Sequence, residues 1–309
     1  MEKLLNAYHA ALLRRDFSPN TAKRYRCVAS LFFRWYMARR GWGELPAGVE
    51  AMPTDEDIRA YRDQAQRAQH RPAASINTYL MALRSFFEWV RESGRRDDNP
   101  TDPVKLLKEQ RRIAPKALTG EQEEAILGAA RRQRDAWRVI PPFMGRFTPT
   151  RDLCLLTLMS KAGLRASEAA GLQWGDIHEE DGEPARVEVW GKGRKQRTVP
   201  LGGVARETLK EYRAEQQDTG AQVPLFPSNQ GHKAITPSTV WRRVKLYAAL
   251  AGVKASPHTL RHTFGTRALR EIGADLVIVG ELLGHASLDT TRRYTMPTEA
   301  EKAKAVEGL

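Results

Sequence analysis

Apolar residues recur at helical spacing through the first 110 positions, and strand-like alternation is absent there. Leu4, Leu5, Tyr8, Ala11 and Leu12 mark one amphipathic face. Ser18-Pro19 supplies an N-cap followed by proline at the first helical position. The helix it opens carries Tyr25, Val28, Leu31, Phe32, Trp35 and Tyr36, with Lys23, Arg24, Arg26 and Arg34 interleaved. Thr54-Asp-Glu-Asp57 starts a third helix, its carboxylates in the first turn where the peptide dipoles favour negative charge. A fourth spans 76–90 through Tyr79, Leu80, Leu83, Phe86, Phe87 and Val90, and ends near Ser93-Gly94 before the breaker Asn99-Pro100. The pattern predicts a small helical bundle over 1–105 with the aromatic stripes as its core.

Residues 101–117 carry two prolines and five basic residues, which places a basic linker at 106–117. Thr119-Gly-Glu-Gln122 then opens a second domain, 118–309, with a capping box. A Pro- and Arg-rich stretch, 131–150, precedes an apolar helix over 151–162. It reads as a cover over a bound partner, a contact to a neighbouring subunit, or an inert insertion. Arg186-Val-Glu-Val-Trp190 and Gln196-Arg-Thr-Val-Pro200 flank Gly191-Lys192-Gly193-Arg194, the pattern of a β-hairpin with a glycine-rich turn. Helices resume over 204–217, 237–251, 258–272 and 275–283. The fold class is mainly α with a small β-sheet.

Charge narrows the function. The 309 residues carry a formal net charge of +13, and 41% are hydrophobic, enough for proper cores. The excess is +8 over 1–117 and +5 over 118–309, so both halves suit a polyanion such as DNA. No apolar run reaches the ~18 residues of a membrane span, and the N-terminus lacks the pattern of a secretory signal. A cytoplasmic protein is expected. Cys27 and Cys154 fall inside apolar helical patterns and read as reduced core thiols. His178 and His232 read as loop residues.

The chemistry gathers in the second half: Arg165, Lys192, His258, Arg261, His285 and Tyr294. Guanidiniums offer a rigid fork of donors matched to phosphate oxygens. A phenol can form a covalent intermediate that splits one hard displacement into two easier ones. His258 and Arg261, three residues apart, share a helix face behind the start signal Ser256-Pro257.

Four segments together resemble the tyrosine recombinase (phage integrase) family. They are Gly163-Leu-Arg165-Ala-Ser-Glu168, the hairpin Gly191-Lys192-Gly-Arg-Lys-Gln-Arg-Thr-Val-Pro-Leu201, Pro257-His258-Thr-Leu-Arg261-His262, and Leu282-Leu-Gly-His285 running on to Tyr294. The N-terminal bundle, with Leu83-Arg-Ser-Phe86-Phe-Glu-Trp89, resembles the family's SAM-like core-binding domain, so the resemblance covers nearly the whole chain. It implies a site-specific DNA recombinase of the simple two-domain type, without an arm-binding domain. Tyr294 is then the nucleophile, and Arg165 and Arg261 clamp the phosphate oxygens. His285 adds a hydrogen bond, His258 accepts or relays the tyrosine proton, and Lys192 protonates the 5′-oxygen. Glu168 supports the site as an acidic partner.

Plainer readings stand beside these roles: Lys192 as a DNA-backbone contact among Arg194, Lys195 and Arg197, Glu168 as a helix-ordering residue, and His262 as structural. The resemblance further implies double-stranded DNA with inverted-repeat sites as partner. It implies a homotetramer on synapsed DNA, a monomer or dimer off DNA, and no cofactor or metal. Consistent with that, the sequence has no phosphate-binding Gly-x-x-x-x-Gly-Lys loop and no acidic cluster of the Mg²⁺-holding kind. Lys23, Arg24, Arg84, Arg242, Arg243 and Lys245 are the expected DNA contacts. Residues 298–309 read as a short helix whose Ala300, Ala303 and Val306 stripe packs on its own domain or, as the resemblance implies, reaches a neighbouring protomer. Alternative functions are type IB topoisomerase-like relaxation of DNA, and DNA binding with a retired active site.

Overall fold

The computed structural model describes residues 1–46, 52–109, 117–138, 149–191, 195–228 and 231–284. The chain divides into two compact units, Met1–Arg112 and Ile113–Leu309.

The first unit packs four helices: α1 (Glu2–Arg14), α2 (Pro19–Arg40), α3 (Asp55–Arg67) and α4 (Ala73–Glu92). Ser18 caps α2, its hydroxyl accepting from the Thr21 N–H at 3.2 Å, and Gly41 ends that helix in the left-handed region at φ +68°. Asp57 closes the start of α3 by accepting from the Thr54 N–H at 3.1 Å, and also takes Arg40 at 3.2 Å. One carboxylate thus fixes the end of α2 against the start of α3. The core is aromatic. Phe86 meets Tyr8 edge-on at 5.1 Å and Phe33 at 5.3 Å, a geometry that sets the positive ring edge on the negative ring face. Cys27 corrects the core-thiol expectation: it is exposed on α2, whereas Cys154 is buried.

Beyond α4 the chain folds back along it. Asn77 holds Leu107 twice, donating to its carbonyl at 2.9 Å and accepting its N–H at 2.8 Å. Residues 106–109, expected to begin a linker, are therefore laid along α4.

The second unit is built around α6 (Pro149–Lys161), whose residues from Pro149 to Ser160 are all buried. Around it lie α5 (Gly120–Arg138), α7 (Ala166–Gly171), α8 (Gly203–Ala214), α9 (Pro237–Leu250), α10 (Pro257–Arg270) and α11 (Leu276–Leu283). The stretch 131–150 is corrected in part: 131–138 complete α5 and 149–150 begin α6. Residues 139–148 lie outside the described residues.

The sheet is antiparallel in the order β1 (Ile177–Glu180), β2 (Glu183–Trp190), β3 (Gln196–Pro200). The expected hairpin is β2–β3, with Val187 opposite Val199 and Val189 opposite Arg197. Strand β1 was not anticipated. It joins β2 through Asp181-Gly182, both at positive φ (+53° and +77°), the conformation of a tight two-residue hairpin turn. His178 therefore lies in a strand, 3.1 Å from Glu188, not in a loop. A short pair, β4 (Pro227–Ser228) and β5 (Gly231–Ala234), also escaped the pattern.

Charge is buried in the α6 core. Asp152, with no exposed surface, takes Arg151 at 2.9 Å, the Tyr247 hydroxyl at 3.1 Å and Arg243 Nε at 3.4 Å. Arg151 Nη1 also donates to the Pro227 carbonyl at 2.7 Å. The network ties α6 to α9 and β4, and the low surrounding dielectric makes losing any one partner costly.

Candidate active site

Gly163 and Leu164 join α6 to α7, and Gly163 fixes the approach. Its φ is +62°, and a Cβ there would lie 2.5 Å from Phe264 Cδ1 and 3.0 Å from Leu283 Cδ2. Glycine alone combines that backbone angle with so close a packing of α10 and α11. Its carbonyl accepts a 2.8 Å hydrogen bond from Arg261 Nη1, while Nη2 donates to the Leu283 carbonyl. Arg261 is almost wholly buried, so these bonds hold its guanidinium between the start of α7 and the end of α11.

Arg165 is the N-cap of α7. Its backbone N–H donates to Glu168 Oε2 at 2.7 Å, its Nη1 to Glu168 Oε1, and its Nη2 to the Gly284 carbonyl at 3.0 Å. Glu168 is 5% exposed and is the hub of the cluster. Arg197 forks onto it, Nη1 to Oε1 at 2.9 Å and Nη2 to Oε2 at 2.8 Å, and Arg261 Nη1 lies 3.7 Å away. Burial pushes the Glu168 carboxyl upward. The Arg197 fork, the Arg165 N–H and the Arg165 guanidinium outweigh it and leave the group at about 2. Three guanidiniums around one carboxylate leave excess positive charge, the electrostatic requirement for holding a phosphate.

His258 stands exposed in the first turn of α10, one turn before Arg261. The helix start is built as expected, with Pro257 at its first turn and Ser256 Oγ accepting the Thr259 N–H at 3.2 Å. His262 is buried, which fits a structural residue. The structure thus brings Arg165, Glu168 and Arg261 together, with His258 on the same helix as Arg261. Lys192, His285 and Tyr294 lie outside the described residues, as do 298–309. Their described neighbours are Gly191, whose N–H donates to the Lys195 carbonyl at 2.7 Å, and Gly284, which ends α11 at φ +59°.

Two supporting residues escaped the sequence reading. Arg197, grouped there with exposed hairpin cations, has a side chain 10% exposed and directed inward. The signal was its register, since Arg197 and buried Val199 are two apart on one strand and share a face. Glu123 on α5 is also buried and binds Lys161 Nζ at 2.7 Å, Ser160 Oγ and Arg267 Nη1. Burial raises its carboxyl, but Lys161, Ser160 and Arg267 prevail and hold it below the usual carboxylate range. It braces the end of α6 and the body of α10, the two elements that lead to Arg165 and carry Arg261.

The expected DNA contacts separate into two groups. Lys23 and Arg24 are exposed on α2, beside Cys27, Leu31 and Tyr79 in a shallow groove. Arg242 is exposed on α9, and the Lys245 ammonium sits 5.5 Å from the Trp241 ring centroid. Arg84 and Arg243 point elsewhere. Arg84 is half-buried and donates to the carbonyls of Thr101 and Val104 at 3.2 and 3.3 Å. Arg243 leans on buried Asp152. Both are engaged by main-chain carbonyls or a buried carboxylate.

A mainly helical unit with a three-stranded sheet, an arginine–glutamate cluster and a His-x-x-Arg helix defines a class of DNA strand-exchange proteins. Residues 116–301 match the phage integrase family, and the chain belongs to that family, the tyrosine recombinases. The tyrosine recombinase XerA of Thermococcus onnurineus is 32% identical, covering 100% of this chain and 98% of its own. XerD of Proteus mirabilis is 33% identical over 92% of this chain and 84% of its own. Among solved structures, XerH recombinase bound to a palindromic difH substrate superposes with a TM-score of 0.71 at 24% identity, covering 94% of this chain and 80% of that one. A lambda integrase dimer on a core site superposes at 0.70 and 18% identity, covering 97% of each chain. No helix among the described residues is long and apolar enough to cross a membrane.

Proposed function

We propose that this protein is a site-specific DNA recombinase that cuts and rejoins strands through a 3′-phosphotyrosyl intermediate. The observation that carries the reading is the Glu168 hub: it holds Arg165 beside Gly284, the residue before His285, and faces Arg261. In this reading the Tyr294 oxygen attacks phosphorus and the bond to the 5′-oxygen breaks. A free phenol loses its proton near pH 10, so His258 takes or relays that proton while the surrounding cations favour the phenolate. Arg165, Arg261 and His285 neutralise charge growing on the non-bridging oxygens. Lys192 delivers a proton to the departing 5′-oxygen. The phosphotyrosyl bond retains the energy of the broken phosphodiester, so the free 5′-hydroxyl of a partner strand reverses the step without an external energy source.

Double-stranded DNA is the substrate, bound by cations of both units, with inverted-repeat sites and a tetramer on synapsed DNA as the working assembly. The terminal segment 298–309 reaches a neighbouring protomer and limits cleavage to two tyrosines at a time. The test is a supercoiled plasmid carrying two copies of a site located by footprinting. Recombinant circles or deletion products support the proposal. Relaxed plasmid with unchanged sequence order, produced equally from a plasmid lacking the site, would replace it with topoisomerase-like action.

A further inference from the structure

The roles above leave Arg197 without a task, yet no other cation of the hairpin strands is so fully engaged. Its Nε donates to the Leu282 carbonyl at 2.8 Å, and its two terminal nitrogens fork onto both oxygens of Glu168. Lys195, two residues earlier, is exposed, as a DNA-backbone contact would be. Arg197 is not. Its Cδ lies 3.0 Å from where a Cβ on Gly284 would sit, so arginine and glycine are fitted to one another at the end of α11. The Gly284 carbonyl in turn accepts from Arg165.

We infer that Arg197 is a positioning residue for the phosphate clamp, locking Glu168 and the end of α11 so that Arg165 and the backbone leading to His285 keep one geometry. The inference rests on the recombinase reading. Physically, Glu168 has a rotatable carboxylate facing three cations. Without the Arg197 fork only the Arg165 N–H and Nη1 hold the carboxylate, which can then turn onto Arg261 and neutralise charge meant for phosphate. The fork fixes both oxygens at once. A lysine supplies one point charge and cannot span two carboxylate oxygens and a carbonyl together. Arg197 acts on the clamp and not on the leaving-group acid, because its bonds run to α7 and α11.

The experiment is single-turnover cleavage of a nicked suicide substrate, with DNA affinity measured alongside. Arg197→Lys should lower the cleavage rate by up to about 100-fold, the cost of a misplaced catalytic group, while the affinity changes by less than about 3-fold. The loss should persist on a substrate whose 5′-bridging oxygen is sulfur, which leaves without a proton, whereas Lys192→Ala should recover there. In a Glu168→Gln background Arg197→Lys should cost little more, because the two act as one unit. Cleavage by Arg197→Lys at the wild-type rate, an equal loss of binding and cleavage, additive losses, or full recovery on the sulfur substrate would each overturn the assignment. Should Arg197→Ala fail to fold, the lysine variant and the double variant carry the test. Wild-type protein that forms no adduct, or an adduct surviving Tyr294→Phe, strikes the recombinase reading instead.

Discussion

The Gly163 carbonyl and the Arg261 guanidinium are joined by a 2.8 Å hydrogen bond across 98 residues of sequence. That bond requires α10 to lie directly on the α6–α7 connection, and only a residue without a side chain permits the approach. Gly163→Ala would bring a methyl group to 2.5 Å from Phe264 at a φ of +62°. The left-handed conformation costs about 1–2 kcal/mol for an L-residue, and overpacking adds about 1–3 kcal/mol. Urea denaturation should therefore show a loss of at least about 2 kcal/mol, and a loss below about 0.5 kcal/mol would contradict the packing described.

Acid should weaken the fold through Glu168. Its folded value, about 2, lies below the ordinary 4.5, so the ionised carboxylate adds stability at neutral pH. That contribution fades as pH falls below 4.5 and is gone below about 2. At about 1.36 kcal/mol per unit, roughly 3 kcal/mol is involved in total, of which about 2 kcal/mol is lost by pH 3. Glu168→Gln lacks the titration altogether. The stability gap between the two proteins should accordingly narrow by about 2 kcal/mol between pH 7 and pH 3. A gap that stays constant over that range would count against the strongly paired carboxylate.

The basic residues should divide by function. Arg84→Ala removes two hydrogen bonds to the carbonyls of Thr101 and Val104 and should cost about 1–3 kcal/mol in thermal or urea unfolding. Lys23→Ala and Arg242→Ala, both exposed, should change stability by less than about 0.5 kcal/mol. Each should instead weaken DNA binding and reduce the slope of log affinity against log salt by about 1. The reverse pattern, with Arg84 setting the salt slope, would reassign these roles.

Helices and the β2–β3 hairpin were legible because their signals are local. Ser18-Pro19 and Ser256-Pro257 open helices by chemistry confined to one turn, and alternation around Val187, Val189 and Val199 marks strands. Strand β1 carried a local signal too, Asp181-Gly182, but Ile177-His-Glu-Glu180 alternates too weakly to stand out. Arg197 and Glu123 were hidden for a different reason. Their partners Leu282 and Arg267 lie 85 and 144 residues away, so only the folded chain reveals that these charges are buried and paired. Arg84 and Arg243, expected at the DNA, also have partners within the protein. Each sits on a helix rich in surface cations or aromatics, and only tertiary contacts show what its guanidinium holds.

Covalent capture tests the central claim most directly. Wild-type protein on a nicked suicide substrate carrying its footprinted site should yield a protein–DNA adduct, with peptide mass spectrometry placing the nucleotide on Tyr294. Tyr294→Phe should bind the same DNA with unchanged affinity and yield no adduct. An adduct that persists in the phenylalanine variant, or one that maps to another residue, would contradict the account.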